Sequence, residues 1–465
     1  MPQVHTNALL ATVVDGGYCV GCGACTLGRH DSPLRVEMDQ FGMYRAVPAG
    51  HPSAIPKDVT TVCPFAADVP SETELGRRLY VDEAIFDDYL GFVRQCYAGY
   101  VAEGNFRNHG SSGGFCSWLA CTMLQHKIVD GVIHVHPTGD ARRLFTYKVS
   151  YDPATVQLGA KSRYYPVSLS EVLITVRNRP GRYLFIGLPC FVKAVRLLQL
   201  YDSVFADRVT YCVSLFCGHL KSRHFSDFLA WQMGFKPDAI DEIDYRVKLP
   251  ERPASDYGIL VAGSGPQGHR KTTVPAKTLY GYDWGLGLFK YKACDYCDDV
   301  VGETADVSVG DAWLPDFERD SLGTNIVVTR NRNLDQLVQS AIADGRLHMQ
   351  PIGIDSVIAS QAGGFRHRRE GLSFRLYLCD KKGIWRPSKR VPASNRLPKR
   401  RQNIYILREQ LREASHSLFF KAIHTGDYSL VLKGLSPLVD RYTSYYKPSF
   451  LGLIISRIRS LLRRR

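Results

Sequence analysis

Between residues 93 and 345, short apolar runs alternate with stretches whose apolar positions recur every three or four residues. The short runs predict strands over 131–136, 183–187, 209–216, 259–261, 306–309 and 325–329. The periodic stretches predict helices over 112–126, 169–176, 191–200, 223–233 and 334–343, with more helix through 354–361 and beyond Gly364. Such alternation predicts a mixed α/β body, placed at 93–379. A loop-rich segment, 1–92, precedes it. Over 381–402, three prolines among many Lys and Arg predict a linker, and helical patches follow to residue 465.

A chain of 465 residues has room for two or three domains, each with its own core. Its longest apolar runs, such as 450–455, are too short to span a bilayer. The start, Met1-Pro2-Gln3-Val4-His5, has neither a basic n-region nor an apolar h-region, so the expectation is a cytoplasmic protein. Net charge is +14 and unevenly spread: residues 380–465 carry +15 and residues 1–379 carry −1. A neutral body argues against an enzyme with a basic nucleic-acid cleft. The basic tail points to an acidic surface.

Thirteen cysteines in a reducing compartment point to metal binding or redox chemistry before disulfides. Cys19-x2-Cys22-x2-Cys25 puts three thiols in one tight loop, where Gly21 and Gly23 let the backbone fold around a ligand. Cys63-Pro64, 38 residues after Cys25, offers the fourth thiol and the Cys-Pro pair common in cubane sites. A zinc knot needs the same sulfurs, but usually as two Cys-x2-Cys pairs, so a 4Fe-4S cluster is the better fit. Cys294-x2-Cys297 needs partners. Cys190 and Cys217 close strand-like runs, where α/β folds gather ligands, and are either those partners or packed core thiols. Cys96, Cys116, Cys121, Cys212 and Cys379 lack metal spacing and read as buried small apolar residues.

Several segments together resemble the coenzyme F420 hydrogenase/dehydrogenase β-subunit family. They are Gly110-Ser111-Ser112-Gly113-Gly114, Lys161-Ser162-Arg163-Tyr164-Tyr165-Pro166-Val167, Gly187-Leu188-Pro189-Cys190 and Phe216-Cys217-Gly218-His219. Lys292-Ala293-Cys294-Asp295-Tyr296-Cys297 and Ala305-Asp306-Val307-Ser308-Val309-Gly310-Asp311-Ala312-Trp313 complete the set, in the family's order. The resemblance runs from about residue 15 to about 345 and leaves the tail outside. One departure is Leu188, where the family usually has Thr or Lys before Pro-Cys. The resemblance implies an FAD-containing reductase with two 4Fe-4S clusters, the second held by Cys190, Cys217, Cys294 and Cys297. Relatives include deazaflavin-reducing hydrogenase subunits, a chlorophyll-side-chain reductase and bacterial proteins linked to surface-polysaccharide pathways.

FAD needs backbone N–H groups and positive charge at its pyrophosphate, and a flat slot for its ring. Gly110, Ser111, Ser112, Gly113 and Gly114, just ahead of a helical pattern, suit the first need, although a plain helix cap looks the same. Lys161, Ser162, Arg163 and Tyr164 offer two cations, a hydroxyl and an aromatic ring, or else a solvated basic turn. His219 and Asp311 are the candidate catalytic residues, His219 as proton donor and Asp311 in an orienting role. The expected architecture is an N-terminal ferredoxin-like 4Fe-4S cap (1–92), an α/β FAD and 4Fe-4S core (93–379) and a basic helical extension (380–465). The expected chemistry passes electrons between an external carrier, ferredoxin or reduced deazaflavin, and a two-electron substrate. A non-catalytic electron-transfer subunit docking to a separate enzyme is the alternative.

The extreme tail speaks for itself. Phe450, Leu451, Ile454, Ile455, Ile458, Leu461 and Leu462 follow helical spacing, with arginines mostly between them. That pattern suits an anionic membrane surface or an acidic partner, or a terminal helix packed on the body. No aromatic-studded groove accompanies the charge, so no nucleic acid is expected.

Overall fold

The computed structural model describes residues 7–51, 55–265 and 268–446. The expected amphipathic helix at 450–465 lies outside these residues. The body is built on one mixed eight-stranded sheet. Its strands are β1 (Gln95–Val101), β2 (Gly131–Asp140), β3 (Arg143–Ser150), β4 (Tyr183–Gly187), β5 (Val209–Leu215), β6 (Val307–Asp311), β7 (Asn325–Thr329) and β8 (Leu347–Pro351). They lie in the order β8-β1-β7-β6-β5-β4-β2-β3. The centre, β2-β4-β5-β6, is parallel, and antiparallel strands extend both sides.

Residues 183–187 and 325–329, predicted as strands, are found residue for residue. Every residue of both is buried, as in central strands covered on two faces. Alternation along β4 sorts the two faces. Leu184 and Ile186 enter a core under the helices Phe115–Gln125 and Arg332–Ala343. Tyr183 and Phe185 enter a second core beneath the helix Pro189–Tyr201. We name Phe115–Gln125 α1 and Pro189–Tyr201 α2. Pro189 sits in the first turn of α2, where its missing N–H costs no hydrogen bond.

The second core is continuous from Leu9 to Tyr442, so the N-terminal cysteine segment and the C-terminal helices share it with the body. Those helices, α3 (Lys399–Thr425) and α4 (Ser429–Ser444), form a hairpin whose turn passes through Gly426 at φ +69°. Phe419 of α3 is fully buried among Phe228, Trp231 and Phe289. Ser415 Oγ accepts the Phe289 N–H at 2.8 Å, and Arg412 pairs with buried Asp295 at 2.5 Å.

The stretch expected as a linker is instead laid against the body. Arg390 pairs with Glu303 at 2.5 Å and Asp298 at 3.2 Å, and Lys389 lies 3.5 Å from Asp298. Arg401 pairs with Glu370. Lys389, Arg390, Arg401 and Arg412 of the basic extension therefore meet carboxylates of the body. Among the described residues, no helix is long and apolar enough to cross a membrane.

Candidate functional site

The Cys19–Cys25 loop folds as tightly as its glycines allow. Gly21 and Gly23 have φ +66° and +82°, and a Cβ on either would lie within 2.4 Å of Tyr44 or Ser170. A short helical turn, Lys57–Val62, delivers Cys63 to the same place. All four thiols line one small cavity of about 20 Å3 with Val20, Val36 and other apolar side chains. Burial pushes the Cys25 thiol well up, and Cys22, Cys19 and Cys63 push it further. Cys19 Sγ accepts the N–H groups of Gly21 and Ala46, each at 3.4 Å, as a ligand thiolate does. Among the described residues, no group of three His, Cys, Asp or Glu is arranged to hold a single metal ion. The donor set here is four thiols spread about a common space, which suits a multi-iron cluster.

The second set comes together from three places. Cys190 sits in the first turn of α2, Cys217 follows β5, Cys294 lies within the turn Lys292–Tyr296 and Cys297 directly follows it. Burial pushes the Cys190 thiol well up, with further contributions from Cys217, Cys297, Cys294 and Cys22. Cys22 belongs to the first set, so the two sets are neighbours. Tyr147 lies between, its hydroxyl pushed up by burial and then by Cys190 and Cys22. The Leu220 N–H donates to Cys294 Sγ at 3.2 Å. Arg368 completes the surroundings: burial opposes its charge, yet Cys297 and Cys217 outweigh burial and its pKa rises. Its guanidinium also donates to Gly218 O at 3.0 Å. Spacing gave no sign of Arg368.

Cys217 also forms part of the wall of a cavity of about 670 Å3, within the roughly 300–1,000 Å3 usual for cofactor and small-molecule sites. Gly110, Ser111, Ser112 and Gly114 line it, as do Lys161, Ser162, Arg163 and Tyr164. The Ser162 N–H donates to Ser111 Oγ at 2.8 Å, which locks these two segments together. Gly114, at φ +85°, starts α1; a Cβ there would lie 2.5 Å from the Phe106 backbone. Asn325 Oδ1 accepts the Phe115 N–H at 3.1 Å. The amides of Ser111 through Gly114 donate to no acceptor among the described residues. They remain available to an anion. Lys161 is paired with Asp244 at 3.2 Å, and Arg163 donates to Ala160 O at 2.7 Å.

Both candidate catalytic residues line the cavity. His219 packs its ring 4.5 Å from Trp284, and burial drives its pKa well below the ordinary value, so it is a neutral imidazole. Asp311 pairs with Arg246 at 3.0 Å and thereby aims that guanidinium over the rings of Tyr257 and Trp313. Buried polar atoms of Arg163, Tyr165, His219, Arg246 and Arg368 have no partner, and all five residues face this space. Orphaned polar groups of this kind fit a cavity that holds a polar cofactor. Of the five thiols expected to be buried, Cys96, Cys121, Cys212 and Cys379 are; Cys116 is half-buried in the cavity wall.

Residues 96–174 match the N-terminal part, and residues 181–354 the C-terminal part, of coenzyme F420 hydrogenase/dehydrogenase beta subunits. The chain belongs to that family. Membership puts it among iron–sulfur electron-transfer proteins. A chain of the F420-reducing NiFe hydrogenase complex from Methanosarcina barkeri, solved as a xenon derivative, is similar at 20% identity. That similarity covers 61% of this chain and 92% of the other, with a TM-score of 0.47. No curated protein matches the chain. Within the family match lie both cavity segments and the second cysteine set; Cys19, Cys22, Cys25, Cys63 and the α3–α4 hairpin fall outside it. The hairpin nevertheless lines the family cavity through Arg401, Tyr405, Arg408, Tyr442 and Tyr446.

Proposed function

We propose that this chain is an iron–sulfur flavoprotein oxidoreductase. It passes electrons between an external carrier of ferredoxin or deazaflavin type and a two-electron substrate. Cys19, Cys22, Cys25 and Cys63 would hold one 4Fe-4S cluster, and Cys190, Cys217, Cys294 and Cys297 another. The cap at 1–92 would bring the first set and the core at 93–379 the second, while residues 399–446 of the extension wall the large cavity. The observation that carries the reading is Cys217, which belongs to the second thiol set and to the wall of the large cavity at once. A one-electron relay and a two-electron site need such a shared boundary.

FAD, when bound, supplies hydride exchange and single-electron transfer, and each cluster supplies single-electron transfer. The free amides of Ser111 to Gly114 would hold the pyrophosphate, with Lys161 and Arg163 adding charge. Tyr164, whose ring lies 4.6 Å from that of Trp284, offers aromatic surface for the flavin. His219, neutral and facing the same space, would donate an N–H hydrogen bond or take up a proton there, in place of the proton-donor role expected from sequence. Asp311 holds Arg246 in place.

Anaerobic purification tests this directly. The expectation is about eight iron, about eight acid-labile sulfide and about one FAD per chain. Cys22→Ser and Cys294→Ser should each remove about half the iron. If Cys294→Ser leaves iron and visible spectrum unchanged, the second cluster assignment fails. Substrate turnover by the isolated chain separates an enzyme from a subunit that only relays electrons.

A further inference from the structure

The α3–α4 hairpin begins 45 residues after the family match ends, yet it supplies one side of the cavity. Arg401, Tyr405 and Arg408 recur at helical spacing on one face of α3, and Tyr442 faces the same space from α4. Arg401 is occupied by Glu370 and by the Tyr405 hydroxyl. Arg408 is not: its buried Nε has no partner, and no carboxylate pairs with it among the described residues.

Two buried imidazoles from the body face the same end. His219 is 7% exposed with Nε2 unpartnered. His367 is 4% exposed, and neither ring nitrogen makes a hydrogen bond, its Nε2 lying 3.5 Å from Asp295 Oδ1. The Tyr405 hydroxyl of α3 donates to Arg366 O at 3.2 Å and Arg368 donates to Gly218 O at 3.0 Å, which draws α3, His367 and His219 to one stretch of the cavity wall. Arg368, 1% exposed, adds an unpartnered Nε. Against these donors the cavity wall offers a single carboxylate, Asp311, already paired with Arg246. Buried donors without acceptors are costly unless a ligand brings the acceptors. A ligand that carries accepting oxygens would satisfy them, and an anionic one would also meet the unpaired Arg408.

We infer that Arg408, with His219 and His367, forms an anion-holding end of the cavity, and that the substrate carries a carboxylate or phosphate group seated there. The hairpin is then the part of this chain that selects substrate within a family cavity. This rests on the oxidoreductase reading for the word substrate; the anion site itself does not. The Ser111–Gly114 amides are a separate segment assigned to the flavin pyrophosphate, so two anions have two homes.

The test uses the full chain, purified with its bound flavin and clusters, and measures thermal shift and binding of inorganic phosphate and of malonate against chloride at equal ionic strength. The wild type should bind at least one of the two oxyanions saturably, and which one it prefers tells phosphate from carboxylate. Arg408→Gln should weaken that binding by about tenfold or more while leaving FAD occupancy and iron content unchanged. Arg408→Lys should restore part of it, since charge returns without the planar fork. His367→Gln, a second route to the same site, should weaken binding less. Three results overturn the inference: no oxyanion binding by the wild type, equal binding by Arg408→Gln, or loss of FAD from Arg408→Gln, which would give the site to the cofactor. A wild type that binds no flavin but shows Arg408-dependent oxyanion binding sinks the oxidoreductase reading and upholds the anion site.

Discussion

The backbone N–H of Ser162 donates to Ser111 Oγ at 2.8 Å, across 51 residues of sequence. One hydroxyl thus fixes the glycine-rich loop against the basic turn that follows β3, and both face the large cavity. Replacing Ser111 with Ala removes the acceptor and frees the two segments. A net loss of about 1 kcal/mol is expected, a weakening of FAD affinity of about fivefold. Iron content should not change. Flavin titration of the deflavinated protein measures it, and wild-type affinity in Ser111→Ala would detach this contact from flavin binding.

Arg390 ties the extension to the body. Its guanidinium bridges Glu303 and Asp298, both of them 2% exposed. Arg390→Met leaves two buried carboxylates short of their partner and should cost about 3 kcal/mol. Reversible urea unfolding will read that as a lower midpoint at unchanged slope. A change below about 1 kcal/mol would mean that Lys389 alone satisfies Asp298.

A buried histidine pair sets an acid limit on stability. His134 and His136 approach at 3.0 Å through Nε2, and both contact Ser150 Oγ. Burial lowers the His134 pKa from 6.5 to about 3, and His136 adds to the shift. Between those values the unfolded chain takes up a proton that the folded chain refuses. Stability is therefore full above pH 6.5 and falls as the pH drops toward 3, by up to about 1.4 kcal/mol per pH unit from this residue. His134→Asn should flatten that acid limb. An unaltered pH profile in the variant would show that His134 titrates normally in the fold.

Two truncations separate the packed extension from the extreme tail. Ending the chain at Tyr446 keeps α3 and α4 and should leave the melting temperature and cofactor content unchanged. It removes the basic amphipathic pattern at 450–465, so any sedimentation with anionic vesicles at low salt should be lost. Ending before Lys399 uncovers Phe228 and Phe289 and leaves Asp295 without Arg412, so aggregation is expected instead. If full-length protein ignores anionic vesicles, the membrane role of that tail is excluded.

The sequence made the centre of the fold readable because β4 and β7 present apolar runs that are buried on both faces. It missed β1, β3 and β8, and of a separate three-stranded antiparallel sheet, Ile240–Val247, Gly258–Gly265 and Gly268–Pro275, it showed only the middle strand. The neighbouring strand Gly268–Pro275 carries His269, Arg270, Lys271, Thr272 and Thr273, and gains its shape from pairing with Gly258–Gly265. Both cysteine sets were legible from spacing or family motif. Arg246, Arg368 and Arg408 were not, because a guanidinium is assigned to a cavity by distant packing and has no local signature. Part of the extension's charge was not legible as engaged: Lys389 and Arg390 pair with Asp298 and Glu303, and Arg401 pairs with Glu370, because partners that distant in sequence leave no local sign.

The hairpin that walls the cavity is also the part of the described fold that leaves the ribosome last. Synthesis runs from the N-terminus at roughly 5–20 residues per second, so both thiol sets and the glycine-rich loop emerge well before α3. Until then the cavity stands open on the side of Arg408. Docking of α3 and α4 is thus the step that both covers Phe228 and Phe289 and walls in the cavity.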